Sequence, residues 1–329
     1  MMDRRLRVRA VPVAALVASL TLATSAAGQT TPWGDPDLQG TWTSSGATPM
    51  ERPDALAGRE KLSDEEVQSI RAQTAARDLE LLNAPAERTQ VGTNPGAYNN
   101  FWMDPGARTD RTSMLIDPPT GRFPAQTATG VEHTNTQQKA PAGMEKNDTW
   151  EDRHIWERCV TRGGMPNAMF PRGYNNNMQL FQAPGVVVML IEQVHEVRVV
   201  PLDDRPQVSD KVTQWNGLSR GHWEGDTLVV ETANLDGRVS ALQPWSDFSS
   251  HKGSGKGLTL VERFTRVSPD TLEYEVEVND PTMYTAPWTV NYPFTQMSDL
   301  LYEYACHEGN VGMEGILSGG RAEDLAAGR

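Results

Sequence analysis

Short strand-like segments follow one another closely through the second half of the chain, and they constrain the fold more than any other feature. Each is rich in β-branched, aromatic or alternating apolar residues and is bounded by turn residues. We predict nine strands, at residues 179–181, 186–192, 195–200, 221–223, 227–232, 258–266, 271–278, 288–293 and 300–306. The helical patterns that a parallel sheet would need between them are missing. The sequence therefore predicts an all-β fold, an antiparallel barrel or meander.

One carboxylate is predicted to point into this barrel. Gly225-Asp226 lies between strand-like residues, which is typical of a hairpin turn. One face of the strand predicted next carries Leu258, Leu260, Glu262 and Phe264. Because the other three side chains are apolar, this face should be buried, and an unpaired buried charge is unfavourable. Glu262 is therefore expected either to be paired or to have a functional role.

The first residues have the features of an export signal. Four arginines precede the apolar run at residues 11–23, and small residues follow it before Gly28, as at a cleavage site. We predict that residues 1–27 are a signal peptide and that the mature protein is periplasmic or secreted, with no membrane anchor. The formal net charge of −13 disfavours nucleic acid and anionic lipid as partners. A small-molecule ligand or substrate is the expected partner, and the oligomeric state is left open.

The mature chain is predicted to form a single domain with two parts. Residues 28–152 supply an N-terminal strand, one helix and a long irregular covering segment, and residues 153–329 supply the main part of the barrel. The helix is predicted at residues 63–82, where Ser63 and Glu66 can form a capping box. Residues 83–152 are rich in Pro, Gly, Asn, Thr and Gln, and they either cover a site or wrap the barrel.

Two cysteines, Cys159 and Cys306, are the only ones in the chain. In an oxidising compartment such a pair is expected to form a disulfide. The alternative is a reactive thiol, but nothing in the surrounding sequence marks either cysteine as one.

Several familiar cofactor-binding and metalloprotease motifs are missing from the sequence. It contains no phosphate-binding loop, no dinucleotide fingerprint and no His-Glu-x-x-His. We therefore expect no organic cofactor, and the candidates for chemistry are polar residues on apolar strands. In the last predicted strand, Glu303 shares one face with His307. This face points into the barrel if Cys306 reaches outward to Cys159.

These residues suggest an acid/base site inside the barrel. The predicted catalytic residues are His195, Glu262, His307 and Glu303. Histidine changes charge near neutral pH, which suits it to proton transfer. Arg198 and Glu192, from the hairpin that carries His195, are predicted to bind the substrate, with Arg198 holding an anion or stabilising an oxyanion. Two alternatives stay open. One is an internal salt-bridge network in which Arg198 and Arg263 pair with Glu192, Glu262 and Glu303, and the other is a metal held by His195, His307 and a carboxylate.

Six motifs are spread over most of the mature chain. They are Pro36-Asp37-Leu38-Gln39-Gly40-Thr41-Trp42, Asp117-Pro118-Pro119-Thr120-Gly121-Arg122, Arg158-Cys159, and residues 223–230, 261–264 and 302–310. Together they resemble a widespread family of exported bacterial proteins without an assigned activity. Gly40-x-Trp42 and the Trp-Glu-Gly-Asp-Thr-Leu-Val-Val run from Trp223 are also similar to hairpins of lipocalin-like barrels. The resemblance implies a lipocalin-like barrel, and a shared fold does not settle function.

Three functions therefore compete. The first is an exported enzyme that performs acid/base chemistry, of lyase, isomerase or hydrolase type, on a small organic or sugar-derived substrate in the barrel cavity. The second is a non-catalytic carrier of a small apolar ligand. The third is a carbohydrate-binding or carbohydrate-degrading protein that stacks sugars on Trp215, Trp223 and Trp288, although most tryptophans are core residues. The enzyme is the interpretation that we favour.

Overall fold

The computed structural model describes residues 30–44, 48–83, 108–137, 147–153, 155–203, 205–237 and 256–328. The predicted signal peptide lies outside these residues, as do parts of the predicted covering segment. The described strands are β1 Gly40–Thr43, β2 Leu115–Asp117, β3 Asn177–Ala183, β4 Val186–Ile191, β5 Glu196–Pro201, β6 Leu218–Glu224, β7 Thr227–Ala233, β8 Thr259–Ser268, β9 Thr271–Asn279 and β10 Trp288–Met297. The described α-helices are α1 Asp64–Asn83, α2 Ala128–Gln137 and α3 Val311–Ala327.

All ten strands belong to one antiparallel sheet that curves into a nearly closed barrel. The strand order is β5-β4-β3-β1-β10-β9-β8-β7-β6, and β2 adds to β10. The two ends of this order meet through side chains, because Arg198 Nε on β5 donates to Ser219 Oγ on β6 at 2.9 Å. A Cβ atom on Gly221 would lie 2.7 Å from Leu202 and 2.9 Å from Val200, so the close approach requires glycine. The predicted all-β antiparallel barrel is confirmed.

The inside of the barrel follows the alternation of the strands. On β9, Tyr274, Val276 and Val278 are fully buried, while the glutamates between them face outward. On β8, Leu260, Glu262 and Phe264 face inward, and Glu262 is 0% exposed. Trp42 on β1 is also fully buried; its Nε1 donates to Leu38 O at 3.0 Å, and the Arg266 guanidinium lies 5.2 Å from its ring. Trp42 is thus a core residue.

A segment with neither a strand nor an α-helix, which contains the short 3-10 helix Asn167–Met169, completes the core. Residues 161–171 are all buried, and Met165, Met169 and Phe170 join the same apolar cluster as the barrel strands. Tyr292 on β10 fixes the segment by donating its hydroxyl to Met169 O at 2.6 Å. This segment contains glycines and prolines and has no strand or helix periodicity, so the sequence suggested only a loop.

The predicted helix is confirmed at α1. Ser63 Oγ accepts the Glu66 amide at 3.2 Å, and a Glu66 carboxylate oxygen accepts the Ser63 amide at 2.8 Å, which completes the capping box. The helices α2 and α3 were not predicted. Their sequences contain several glycine, threonine and serine residues, which weaken a helical pattern.

The prediction of a strand at residues 300–306 is wrong. These residues form no strand, and Leu300 and Tyr302 are exposed. These residues, Leu-Leu-Tyr-Glu-Tyr-Ala-Cys, are mostly apolar or aromatic, but β10 already has β9 on one side and β1 and β2 on the other. The free edges of β5 and β6 face each other, so this part of the chain has no edge to join.

Candidate functional site

The predicted site residues fall into two groups, one inside the barrel and one outside it. The inner group is built around Glu262, whose Oε1 accepts from Arg198 Nη1 at 2.9 Å and from the Tyr274 hydroxyl at 2.8 Å. A second, very short bond joins Arg198 Nη2 to Glu262 Oε2. The pair is therefore bidentate, the strongest geometry for a guanidinium and a carboxylate.

The rest of the Arg198 guanidinium is also occupied. Its Nη2 donates to Thr232 Oγ1 at 2.6 Å, and Thr232 Oγ1 lies 3.0 Å from Ser219 Oγ. Burial by itself would lower the pKa of Arg198, but the charge and hydrogen bonds of Glu262 outweigh it, so the pKa is raised. Burial, and then the Glu262 charge, raises the pKa of Tyr274 well above its ordinary value. Arg198 thus stays charged and Tyr274 neutral, which is the internal salt-bridge network left open above.

Glu192 belongs to a separate contact at the end of β4. It is 7% exposed, and its carboxylate accepts from Asn175 Nδ2 at 3.1 Å and Asn177 Nδ2 at 2.6 Å. The structure does not bring Glu192 to Arg198, and its two amide partners hold the segment before β3 against the turn after β4.

The turn between β4 and β5 is strained. Val194 has φ 60° and His195 has φ 44°. A β-branched residue in this left-handed region is a genuine outlier, and such strain is found preferentially at functional sites. Cys159, with φ 56°, is a third residue of this kind in the same neighbourhood.

The strained turn presents His195 on the outside of the barrel, where its ring meets the chain near the disulfide. His195 Nδ1 lies 3.1 Å from Tyr304 O. Because a carbonyl oxygen can only accept, Nδ1 must carry the proton, and Nε2 of the neutral ring keeps its lone pair. The His307 ring is 6.4 Å from the His195 ring between centroids. His195 and His307 are thus brought together, both exposed, away from Glu262.

A cleft of about 540 Å³ opens next to the contact between His195 and Tyr304, since Tyr304 belongs to its wall, although neither histidine is among the residues that line it. Its lining includes Trp156, Glu303, Tyr304, Asn310, Met313 and Ile316 together with the disulfide. The Cys159–Cys306 disulfide is present, as predicted. Asn310 Nδ2 donates to Glu157 O at 2.9 Å and ties the start of α3 to the opposite wall. The cleft is within the size range of small-molecule sites and combines apolar and polar walls.

Sequence analysis missed Glu196, the first residue of β5. It is 6% exposed, and its carboxylate accepts from the Arg162 amide at 2.6 Å, from Asn216 Nδ2 at 2.9 Å, and from the Thr161 hydroxyl. Burial raises its pKa, although these hydrogen bonds act in the opposite direction. Glu196 thereby anchors the buried segment 161–171 to the barrel. The sequence could have indicated Glu196, because its side chain lies on the same face of β5 as Arg198, which was among the predicted site residues.

The three tryptophans predicted as substrate-binding do not form an exposed platform. Trp288 is 1% exposed in the aromatic core, with its ring 4.9 Å from Phe123 between centroids. Trp223 is half-buried against the core, and Trp215 is half-buried as well. The stacking surface that a sugar needs is therefore not made by these residues.

Comparison with protein-family models, curated proteins and solved structures finds no match for this chain. Within the described ranges, no three His, Cys, Asp or Glu side chains converge as a metal site would require. Among those same residues, no helix is both long and apolar enough to cross a membrane. The contact between His195 Nδ1 and Tyr304 O brings the strained turn and the two histidines next to the cleft that Glu303 and Tyr304 line.

Proposed function

We propose that this protein is an exported enzyme that performs acid/base chemistry on a small organic substrate bound in the disulfide cleft. The site differs from the expected one, since it lies on the outside of the barrel and uses three of the four predicted catalytic residues. The reaction is of hydrolase, lyase or isomerase type and uses no organic cofactor.

The observation that carries the proposal is the contact between His195 Nδ1 and Tyr304 O. It fixes the tautomer in which Nε2 can accept a proton, and the strained turn holds the ring in place. In this scheme His195 is the general base. His307 supplies the proton to the leaving or rearranging group, and Glu303, on the cleft wall, binds a hydroxyl or cationic group of the substrate.

Export is part of the proposal. It is supported by the signal-like sequence at residues 1–27 and by the disulfide, since such bonds persist in oxidising compartments. The resemblance of the six motifs to exported bacterial proteins points the same way.

The test is a substrate screen on the exported protein. Mixtures of small esters, glycosides and hydroxy acids are followed by NMR for turnover with the wild type, with His195→Gln and with His222→Gln. His222 is the matched control, because it is an exposed histidine on β6 that pairs with Glu224 at 3.3 Å outside the cleft. We expect His195→Gln to lose turnover by roughly 100-fold or more and His222→Gln to keep it. Equal turnover in the two variants would rule out His195 as the base.

A carrier is the second candidate, because Trp156, Met313 and Ile316 give the cleft an apolar wall. The same experiment separates the two functions. A carrier would show saturable changes in the signals of cleft residues with a ligand that is recovered unchanged, and His195→Gln would leave its affinity nearly unaltered.

A further inference from the structure

The C-terminal arm, residues 298–328, follows β10 and is packed loosely against the barrel. All of its positions are described, and none of them is buried. Its apolar residues Leu300 and Leu325 are 76% and 78% exposed. Gly320 on α3 does lie against Asn147, but a glycine offers no side chain to bury. Because burial of apolar side chains is the main source of stability, packing alone contributes little to holding this arm in place.

The other side of the disulfide is built in the opposite way. Cys159 is 6% exposed, and the wholly buried segment 161–171 follows it closely. Glu196 and Tyr292 fix that segment to the barrel. Cys306, by contrast, is only half-buried and belongs to the arm. The Cys159–Cys306 bond therefore joins a fixed part of the core to a loosely packed arm.

The hydrogen bonds that the structure describes between the arm and the barrel side of the cleft are weak by comparison. Tyr304 O lies 3.1 Å from His195 Nδ1, and Asn310 Nδ2 donates to Glu157 O at 2.9 Å. Hydrogen bonds at partly exposed positions contribute little net free energy, because water offers the same groups other partners. The position of the arm therefore depends mainly on the disulfide.

We propose that this disulfide is a redox switch for the cleft: a small thiol opens the bond, the arm leaves the barrel, and the cleft is lost until the bond forms again. The inference rests on the proposed function in so far as the cleft is the active site. Nine of the twelve described residues that line the cleft belong to the arm, between Glu303 and Ile316. His307 also moves with the arm, whereas His195 stays on the strained turn. Reduction thus removes most of the cleft wall and separates the two histidines.

The bond opens by thiol–disulfide exchange. A thiolate attacks Sγ of Cys306, the more exposed of the two residues, and forms a mixed disulfide, while the electron pair of the S–S bond passes to Cys159 Sγ. Asn310 Nδ2 donates to Cys159 Sγ at 3.6 Å and stabilises this leaving thiolate. A second thiolate then displaces Cys306, so two small thiols are oxidised to their disulfide as the protein bond is reduced. The disulfide of the same thiol closes the bond by the reverse steps.

Hydrogen exchange of the exported protein, followed by mass spectrometry with and without dithiothreitol, tests the proposal. After reduction we expect the amides of residues 298–328 to exchange at least roughly tenfold faster, while those of β7, β8 and β9 stay protected. Oxidised glutathione should restore the slow exchange. An arm that exchanges equally in both states, an arm and strands that lose protection together, or a bond that dithiothreitol does not reduce without denaturant would overturn the proposal.

The double variant Cys159→Ser, Cys306→Ser separates the bond from other effects of the thiol. Its arm should exchange as fast as that of the reduced wild type, and dithiothreitol should leave it unchanged. An arm that stays as protected in this variant as in the oxidised wild type would show that other contacts hold it, and would refute the switch. Since no substrate is used, an arm that opens on reduction in a protein without turnover would support the switch and count against the proposed function alone.

Discussion

Arg198 on β5 and Glu262 on β8 meet inside the barrel as a bidentate ion pair, with Nη1 2.9 Å from Oε1. The side chains of both residues are almost completely removed from solvent. In the order of the sheet, five strands lie between β5 and β8, namely β4, β3, β1, β10 and β9. Counted through the closure between β5 and β6, only β6 and β7 lie between the two strands, so the pair braces the barrel across its closure.

Breaking this pair should destabilise the protein strongly. Arg198→Met or Glu262→Gln leaves the other charge buried and unpaired, and each is expected to lower the free energy of unfolding by roughly 3–5 kcal/mol. The double variant should lose less than the sum of the two, because no unpaired charge remains. Urea denaturation measures all three. Arg263→Met is the control on the same strand: it removes an exposed pair with Glu224 and should leave stability nearly unchanged, because water screens such a pair.

Glu196 should give stability a distinct pH dependence. Burial raises the pKa of its carboxyl above the ordinary value of 4.5, so the folded protein binds its proton more tightly than the unfolded chain. The contribution of Glu196 to stability is then greatest below pH 4.5 and is lost as the pH rises through the folded-state pKa. The difference in the free energy of unfolding between the wild type and Glu196→Gln should therefore fall as the pH rises from 4.5 through the folded-state pKa of Glu196. A constant or rising difference in urea denaturation at successive pH values would contradict this assignment.

The disulfide should be a large source of stability. Cys159 and Cys306 are 147 positions apart, and in the chain-entropy treatment a loop of this length is worth about 5 kcal/mol. We expect Cys159→Ser with Cys306→Ser to lower the urea midpoint, and reductant to have no further effect on that variant. The wild type should approach the variant when it is reduced. A reduced wild type with an unchanged midpoint would show that the bond does not constrain the unfolded chain.

The alternation of inward-facing and outward-facing side chains along each strand explains what the sequence could predict. It placed Glu262 inward, which is confirmed, and of the two expectations for this carboxylate, a partner or a functional role, the structure shows the partner. The salt-bridge alternative named Arg198 and Arg263 with three glutamates but could not tell which charges meet, because Arg198 and Glu262 are 64 positions apart in the sequence and meet only when the barrel curves round. The same rule applied to Glu303 and His307 led to an inward face, but a strand forms only where a sheet edge is free.

The position of His195 shows a different limit of prediction from the sequence. Its exposure follows from positive φ values at Val194 and His195, which the surrounding packing imposes and which neither residue type would suggest. The contact with His307 further requires the disulfide to hold the C-terminal segment beside the turn. The sequence therefore named Glu303, which lines the cleft, and the two neighbouring histidines, but predicted that these residues point into the barrel.

Closure of the barrel between β5 and β6 should depend on Gly221. A Cβ atom there would lie within 3.0 Å of Leu202 and Val200, closer than real Cβ contacts allow. Gly221→Ala must therefore push β6 away from β5 or shift both side chains, which is expected to lower the free energy of unfolding by roughly 1–3 kcal/mol. Gly315→Ala is the control, since a Cβ atom at this position on α3 meets nothing within 4 Å and alanine favours a helix. Thermal denaturation should show a lower midpoint for Gly221→Ala and an equal or higher one for Gly315→Ala. If Gly221→Ala were as stable as the wild type, β5 and β6 would not be in the close contact on which the nearly closed barrel depends.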